Sequence, residues 1–142
     1  MKLILSLIIM LLFSLSNFAK DNGLSMKLII KGLRSNNGVV RIALANDRQT
    51  FESYRGAFLG GFAEIKNNQA EYVFENIPIG FYALKIFHDE DNNQTLTTNF
   101  LGIPLEDYGF SNNARALIGI PSWDNAKFYF DGNQQQVVIE VK

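Results

Sequence analysis

Apolar and polar residues alternate at period two in several short stretches of this chain, the pattern of strands with one buried face. Met26, Leu28 and Ile30 alternate with Lys27, Ile29 and Lys31, and Gly32 ends the run. Val40, Ile42 and Leu44 share one face of a strand over about 39–45, with Arg41 on the other. Residues 62–65 and 70–74 read as two more strands joined by the turn-forming cluster Lys66-Asn67-Asn68-Gln69. A fifth strand follows Pro78 and Gly80 and carries Tyr82, Leu84 and Ile86 to His88. Two last strands, about 127–130 and 136–141, flank Asp131-Gly132-Asn133. The Asn37-Gly38 and Asp131-Gly132 pairs each signal a hairpin, because these residues tolerate positive φ.

Seven short antiparallel strands with frequent turns predict an all-β fold, an immunoglobulin-like or prealbumin-like sandwich. Two segments interrupt the regularity. Phe51, Tyr54, Arg55 and Phe58 are spaced by three and four, which suits a short helix or an irregular flap over 47–58. The segment 89–125 is longer than a structureless connection normally is. Its large apolar residues, among them Leu96, Phe100, Ile103 and Trp123, argue for one long ordered loop.

The N-terminus is of a different kind. Met1 and Lys2 precede an apolar run from Leu3 to Leu15, then Ser16, Asn17, Phe18 and Ala19. A positive start, a short apolar centre and a small residue at the end predict a secretory signal peptide over 1–19, cleaved after Ala19. The run falls short of the roughly 20 residues a spanning helix needs, so no permanent membrane anchor is expected after cleavage. Residues 20–142 then form a single β-sandwich domain, large enough to bury a core without staples. The chain has no cysteine, which excludes disulfides, thiolate metal sites and a lipid-modified cysteine. Periplasmic export is the expected localisation, with the extracellular space as the alternative. Of the 13 basic residues only Lys2 leaves with the leader, so 12 face 14 acidic ones, without a basic cluster to hold nucleic acid.

The sharpest chemistry lies where the fifth strand ends. Asp89, Asp91, Asn93, Thr95 and Thr97 place oxygen-bearing side chains at alternate positions. They match the first five ligand positions of an EF-hand calcium loop, although Gln94 stands where that loop needs Gly and Phe100 where it needs a bidentate Glu. Glu106 and Asp107 are available to complete a shell, and calcium is the candidate cofactor. A polar turn whose Asp and Asn side chains cap backbone groups is the simpler reading and outweighs the calcium loop on sequence alone.

Two resemblances follow from named motifs. The order Ile77-Pro78-Ile79-Gly80-Phe81-Tyr82 resembles the signature of transthyretin-like and carboxypeptidase-regulatory-like sandwiches, in which the Tyr closes one end of the core. His88-Asp89-Glu90-Asp91, then Gly102-Ile103-Pro104, Gly109-Phe110-Ser111-Asn112 and Pro121-Ser122-Trp123-Asp124-Asn125-Ala126 resemble the exported bacterial family known as domain of unknown function 2141. The likeness spans nearly all of residues 20–142. It departs at Gln94, where that family has a turn Gly, and at Thr97, where it has Asp, and both departures lower any cation affinity it implies. Export and a sandwich fold are what the resemblance implies; it brings no reaction and no ligand.

Three functions are compatible with this sequence. The leading expectation is an exported, non-catalytic binding or accessory module for a protein or carbohydrate ligand, with the long loop as recognition surface. His88, Glu106, Tyr108, Phe110 and Trp123 are its ligand-surface candidates, the aromatics being suited to stack on a sugar or peptide. A small hydrolase would have to join His88, the one histidine, to Ser111 or Ser122 and an acid such as Asp124, and no spacing supports that triad, so no catalytic residue is assigned. A structural envelope subunit pairing through an edge strand is the third reading.

Overall fold

The computed structural model describes residues 24–54, 56–133 and 135–142. The leader expected over 1–19 lies outside the described residues. Eight strands form one mixed sheet: β1 (Met26–Lys31), β2 (Val39–Ala45), β3 (Leu59–Lys66), β4 (Gln69–Phe74), β5 (Gly80–Asp89), β6 (Tyr108–Phe110), β7 (Phe128–Phe130) and β8 (Gln135–Glu140). Two single-turn helices, α1 (Arg48–Glu52) and α2 (Trp123–Ala126), and a 3-10 turn at Ser111–Asn113 complete it. No helix among the described residues is long and apolar enough to cross a membrane.

The strands run in the order β6-β5-β2-β3-β4-β1-β8, with β7 on the same edge of β5 as β6. The two ends of this order meet. Tyr108 of β6 and Lys142, just beyond β8, exchange backbone hydrogen bonds of 3.2 and 3.1 Å, so the sheet curls almost into a closed barrel. The period-two residues face its interior: Met26, Leu28 and Ile30, Val40, Ile42 and Leu44, Leu84 and Ile86, Val137 and Ile139 are all buried there. Tyr82 is buried with them, and its hydroxyl donates to the Pro78 carbonyl at 2.7 Å.

The all-β expectation holds, and its finer form is corrected in three ways. The expected seven antiparallel strands are eight, and β1 pairs with β8 in parallel, Leu28 opposite Val137. A pair joining the first and last strands has no turn between them for the sequence to announce. The extra strand, β6, has Gly109 at its centre, where a Cβ would lie 2.7 Å from the Ile139 side chain. The Ile139 side chain occupies the space a Cβ would need, and a glycine leaves no side chain for alternation to reveal.

The third correction concerns hairpins. Gly38 and Gly132 do take positive φ, +67° and +86°, yet neither closes a hairpin. Their loops carry the chain from β1 to β2 and from β7 to β8, which belong to different parts of the sheet. The β3–β4 hairpin is real: Lys66 pairs with Gln69, with Asn67 and Asn68 both at positive φ. Over 47–58 the helical option holds for α1 alone, capped by Asp47, whose carboxylate accepts from the Thr50 amide at 2.8 Å.

A second, smaller apolar cluster sits beneath α1 and α2. Phe51, Phe110 and Trp123 meet edge to face, with ring centroids 6.2 Å apart for Phe51–Phe110 and 6.0 Å for Phe51–Trp123. Ion pairs of Arg48 with Glu52 and Asp124 hold the helices together above it.

Candidate functional site

β5 ends at Asp89, which stands opposite Val39 and is wholly buried. Gly38 makes this possible, because a Cβ there would lie 1.9 Å from the Asp89 carbonyl oxygen. Asp89 Oδ2 accepts from Arg41 Nε at 2.8 Å and from the Gln94 amide at 3.1 Å. Oδ1 is buried and has no hydrogen-bond partner among the described residues. A buried carboxylate oxygen left this way costs of the order of 1–3 kcal/mol or more, so it calls for a partner.

The chain then turns sharply, with Asn92 and Gln94 both at positive φ. Asp91 accepts from the backbone and side-chain nitrogens of Asn93, and Asn93 Oδ1 accepts from the amide and hydroxyl of Thr95. Asn93 Nδ2 also donates to the Thr97 hydroxyl at 3.0 Å. Asn93, Thr95 and Thr97 thus form the side-chain mesh of a polar turn, and Thr95 is exposed. Glu106 returns from the far end of the loop. It is buried, Oε1 accepting from the Glu90 amide and Oε2 from the Thr97 amide, so that one carboxylate clamps both ends of the loop.

One carboxylate oxygen from each of Asp89, Asp91 and Glu106 lie within 4.8 Å of one another. Oxygens on opposite sides of a calcium ion, at about 2.3–2.6 Å from it, stand about 4.6–5.2 Å apart, so this spacing fits a shared shell. Of the five residues predicted from alternate spacing, Asp89 and Asp91 belong to the group, and Glu106 joins them from the other end of the loop.

The neighbouring groups are committed elsewhere. Asp107 accepts from the Arg34 amide at 3.0 Å and from Arg34 Nε at 2.8 Å, and Arg34 also donates to the Leu105 carbonyl. Burial pushes the Asp107 carboxyl up, but the Arg34 hydrogen bonds and charge, aided by His88, hold it below the usual carboxylate range. His88 is fully buried. Its Nε2 lies 2.7 Å from the Asn37 carbonyl and therefore donates, while Nδ1 faces Asp107 Oδ2 at 3.8 Å. Ser111 is buried too, accepting from the Leu84 amide at 2.9 Å and donating to the Ala126 carbonyl at 2.6 Å.

The ligand-surface candidates divide. His88, Glu106 and Trp123 lie inside the molecule, each with a structural role, and present little surface. Tyr108, half-buried, lines an open trough on the outer face of β2 and β5, beside the loop, and Phe110, as buried as Trp123, only borders it. Sequence reasoning missed Arg34 and Arg41. Each is a single outward charge, and only the fold brings it to a buried acid.

No curated protein and no solved structure was found to match the chain. The family model described as an uncharacterised protein conserved in bacteria, DUF2141, matches residues 29–138, which take in β2 through β7 and the whole polar loop, and the chain belongs to that family.

Proposed function

We propose that this protein is an exported, non-catalytic binding or accessory module whose loop from Asp89 to Glu106 is held by calcium. Export rests on the leader-like residues 1–19, and the periplasm is the compartment that follows. A kinship with transthyretin-like sandwiches belongs to the same proposal, supported by the placement of Tyr82 against Pro78.

Two observations support the cation together: Asp89 Oδ1 is buried with no hydrogen-bond partner among the described residues, and a carboxylate oxygen of Asp89 is grouped with one each of Asp91 and Glu106. Arg41 alone does not balance these acids, since its Nε engages the other oxygen of Asp89 and three carboxylates share the group. A divalent ion would satisfy Oδ1 and cancel the repulsion at once, with exposed Asp91 as the ligand nearest solvent. Calcium fits better than magnesium, which demands near-ideal octahedral geometry at about 2.0–2.1 Å and keeps several waters.

The test is the thermal midpoint in chelator and in millimolar calcium. Calcium at about a hundred times its dissociation constant adds about 2.7 kcal/mol, which raises the midpoint by roughly 5–10 °C in a chain of this size. Asp91→Asn, at an exposed position, leaves the fold in place and should lose most of that rise. An equal midpoint with and without calcium would show that the loop stands without an ion.

A further inference from the structure

The trough beside the loop has a chemistry that neither the loop nor the family accounts for. It lies on the outward faces of β2 and β5, lined also by Gln94, Thr95, Leu96, Thr98, Tyr54 and Ile120, with a volume of about 430 Å³. That is within the range of about 300–1,000 Å³ usual for small-molecule sites. Phe87 and Tyr108, both half-buried, supply ring surface, buried Phe110 borders it, and Tyr54 is 86% exposed.

Its charge is one-sided. Arg41 and Lys85 line it, and no acidic side chain does among the described residues, in a chain with 14 acids. Lys85 is committed, Nζ donating to the Phe51 carbonyl at 3.0 Å and the Ser53 carbonyl at 2.6 Å, where it caps α1. Arg41 is different. Its Nε donates to Asp89 and its guanidinium lies over the Phe62 ring, 5.9 Å from the centroid, while its terminal nitrogens enter no hydrogen bond among the described residues. A guanidinium with free donors at the edge of an apolar, ring-lined hollow is complementary to a flat apolar body bearing an anion.

We propose that this trough binds a small aromatic carboxylate, its ring body packed on Phe87 and Tyr108 and its carboxylate held by the terminal nitrogens of Arg41. A sugar fits less well, since Gln94, Thr95 and Thr98 are the only uncharged polar side chains besides the tyrosines to meet its hydroxyls. The inference rests on the reading of the protein as a binding module, and it shares Arg41 and residues of the polar loop with the proposed cation site.

Amide NMR titration with naphthoate and with its neutral amide tests it, run both in chelator and in millimolar calcium, so that saturable binding in either condition counts for the trough whatever the loop requires. Naphthoate should bind saturably, with a dissociation constant of about 1 mM or tighter, and shift the amides of residues 85–87, 94–98 and 108–110. The neutral amide should bind about tenfold more weakly, lacking the charge-assisted bonds. Arg41→Gln should erase that difference, and Tyr54→Ala should weaken both probes without disturbing the fold. Should Arg41→Gln unfold the protein, the comparison of the two probes on the unaltered chain still decides. Equal affinity for both, absence of saturable binding, or shifts confined to other surfaces would overturn the proposal, whereas the calcium test is decided separately by the thermal midpoint.

Discussion

Ser111 shows how one side chain can complete a sheet. β6 and β7 lie along the same edge of β5, pairing with residues 85–87 and 80–82, and the ladder is interrupted between them. The Ser111 hydroxyl fills that gap, meeting the Leu84 amide and the Ala126 carbonyl, and it is fully buried. Ser111→Ala leaves both backbone groups without a partner, and the expected loss is about 2–4 kcal/mol in chemical denaturation. A loss under about 0.5 kcal/mol would mean that water replaces the hydroxyl. Sequence reading pointed to this serine only as a remote nucleophile candidate, because nothing in its neighbours reveals that it stands between two strands.

At the scale of elements, the polar loop is fastened at its base by groups far away in sequence. Arg34, in the β1–β2 connection, reaches Asp107 and Leu105, and Ser35 donates to Glu90 at 2.6 Å. Because the Asp107 carboxyl is held below its ordinary 3.8, the clasp contributes its full stability above that pH and loses it as pH falls through the lower folded value. Asp107→Asn should therefore cost about 2–3 kcal/mol at pH 7 and progressively less below about pH 4. Equilibrium denaturation at the two pH values measures this, and a gap of the same size at pH 2.5 and pH 7 would contradict it. The grouping of Asp89 with Asp91 was legible, since they stand two residues apart at a strand end. The fasteners were not: Arg34 and Arg41 read as solvated charges until the fold sets them against Asp107 and Asp89. The short strand β6 was hidden in the same loop, since Gly109 gives no alternation to read.

Across the whole molecule, period-two patterning correctly named the interior, from Met26, Leu28 and Ile30 to Val137 and Ile139. It could not say how the strands are ordered. The parallel β1–β8 pair and the closing contact between Tyr108 and Lys142 arise from strands far apart in sequence, and no local signal encodes them. Arg41, on β2, touches both Asp89 and the trough. The central claim is that a single calcium ion belongs to the group formed by Asp89, Asp91 and Glu106. Isothermal titration of calcium into chelator-stripped protein tests it most directly. One site per chain, much weakened in Asp91→Asn, is the predicted result; the absence of a binding isotherm up to millimolar calcium would contradict it.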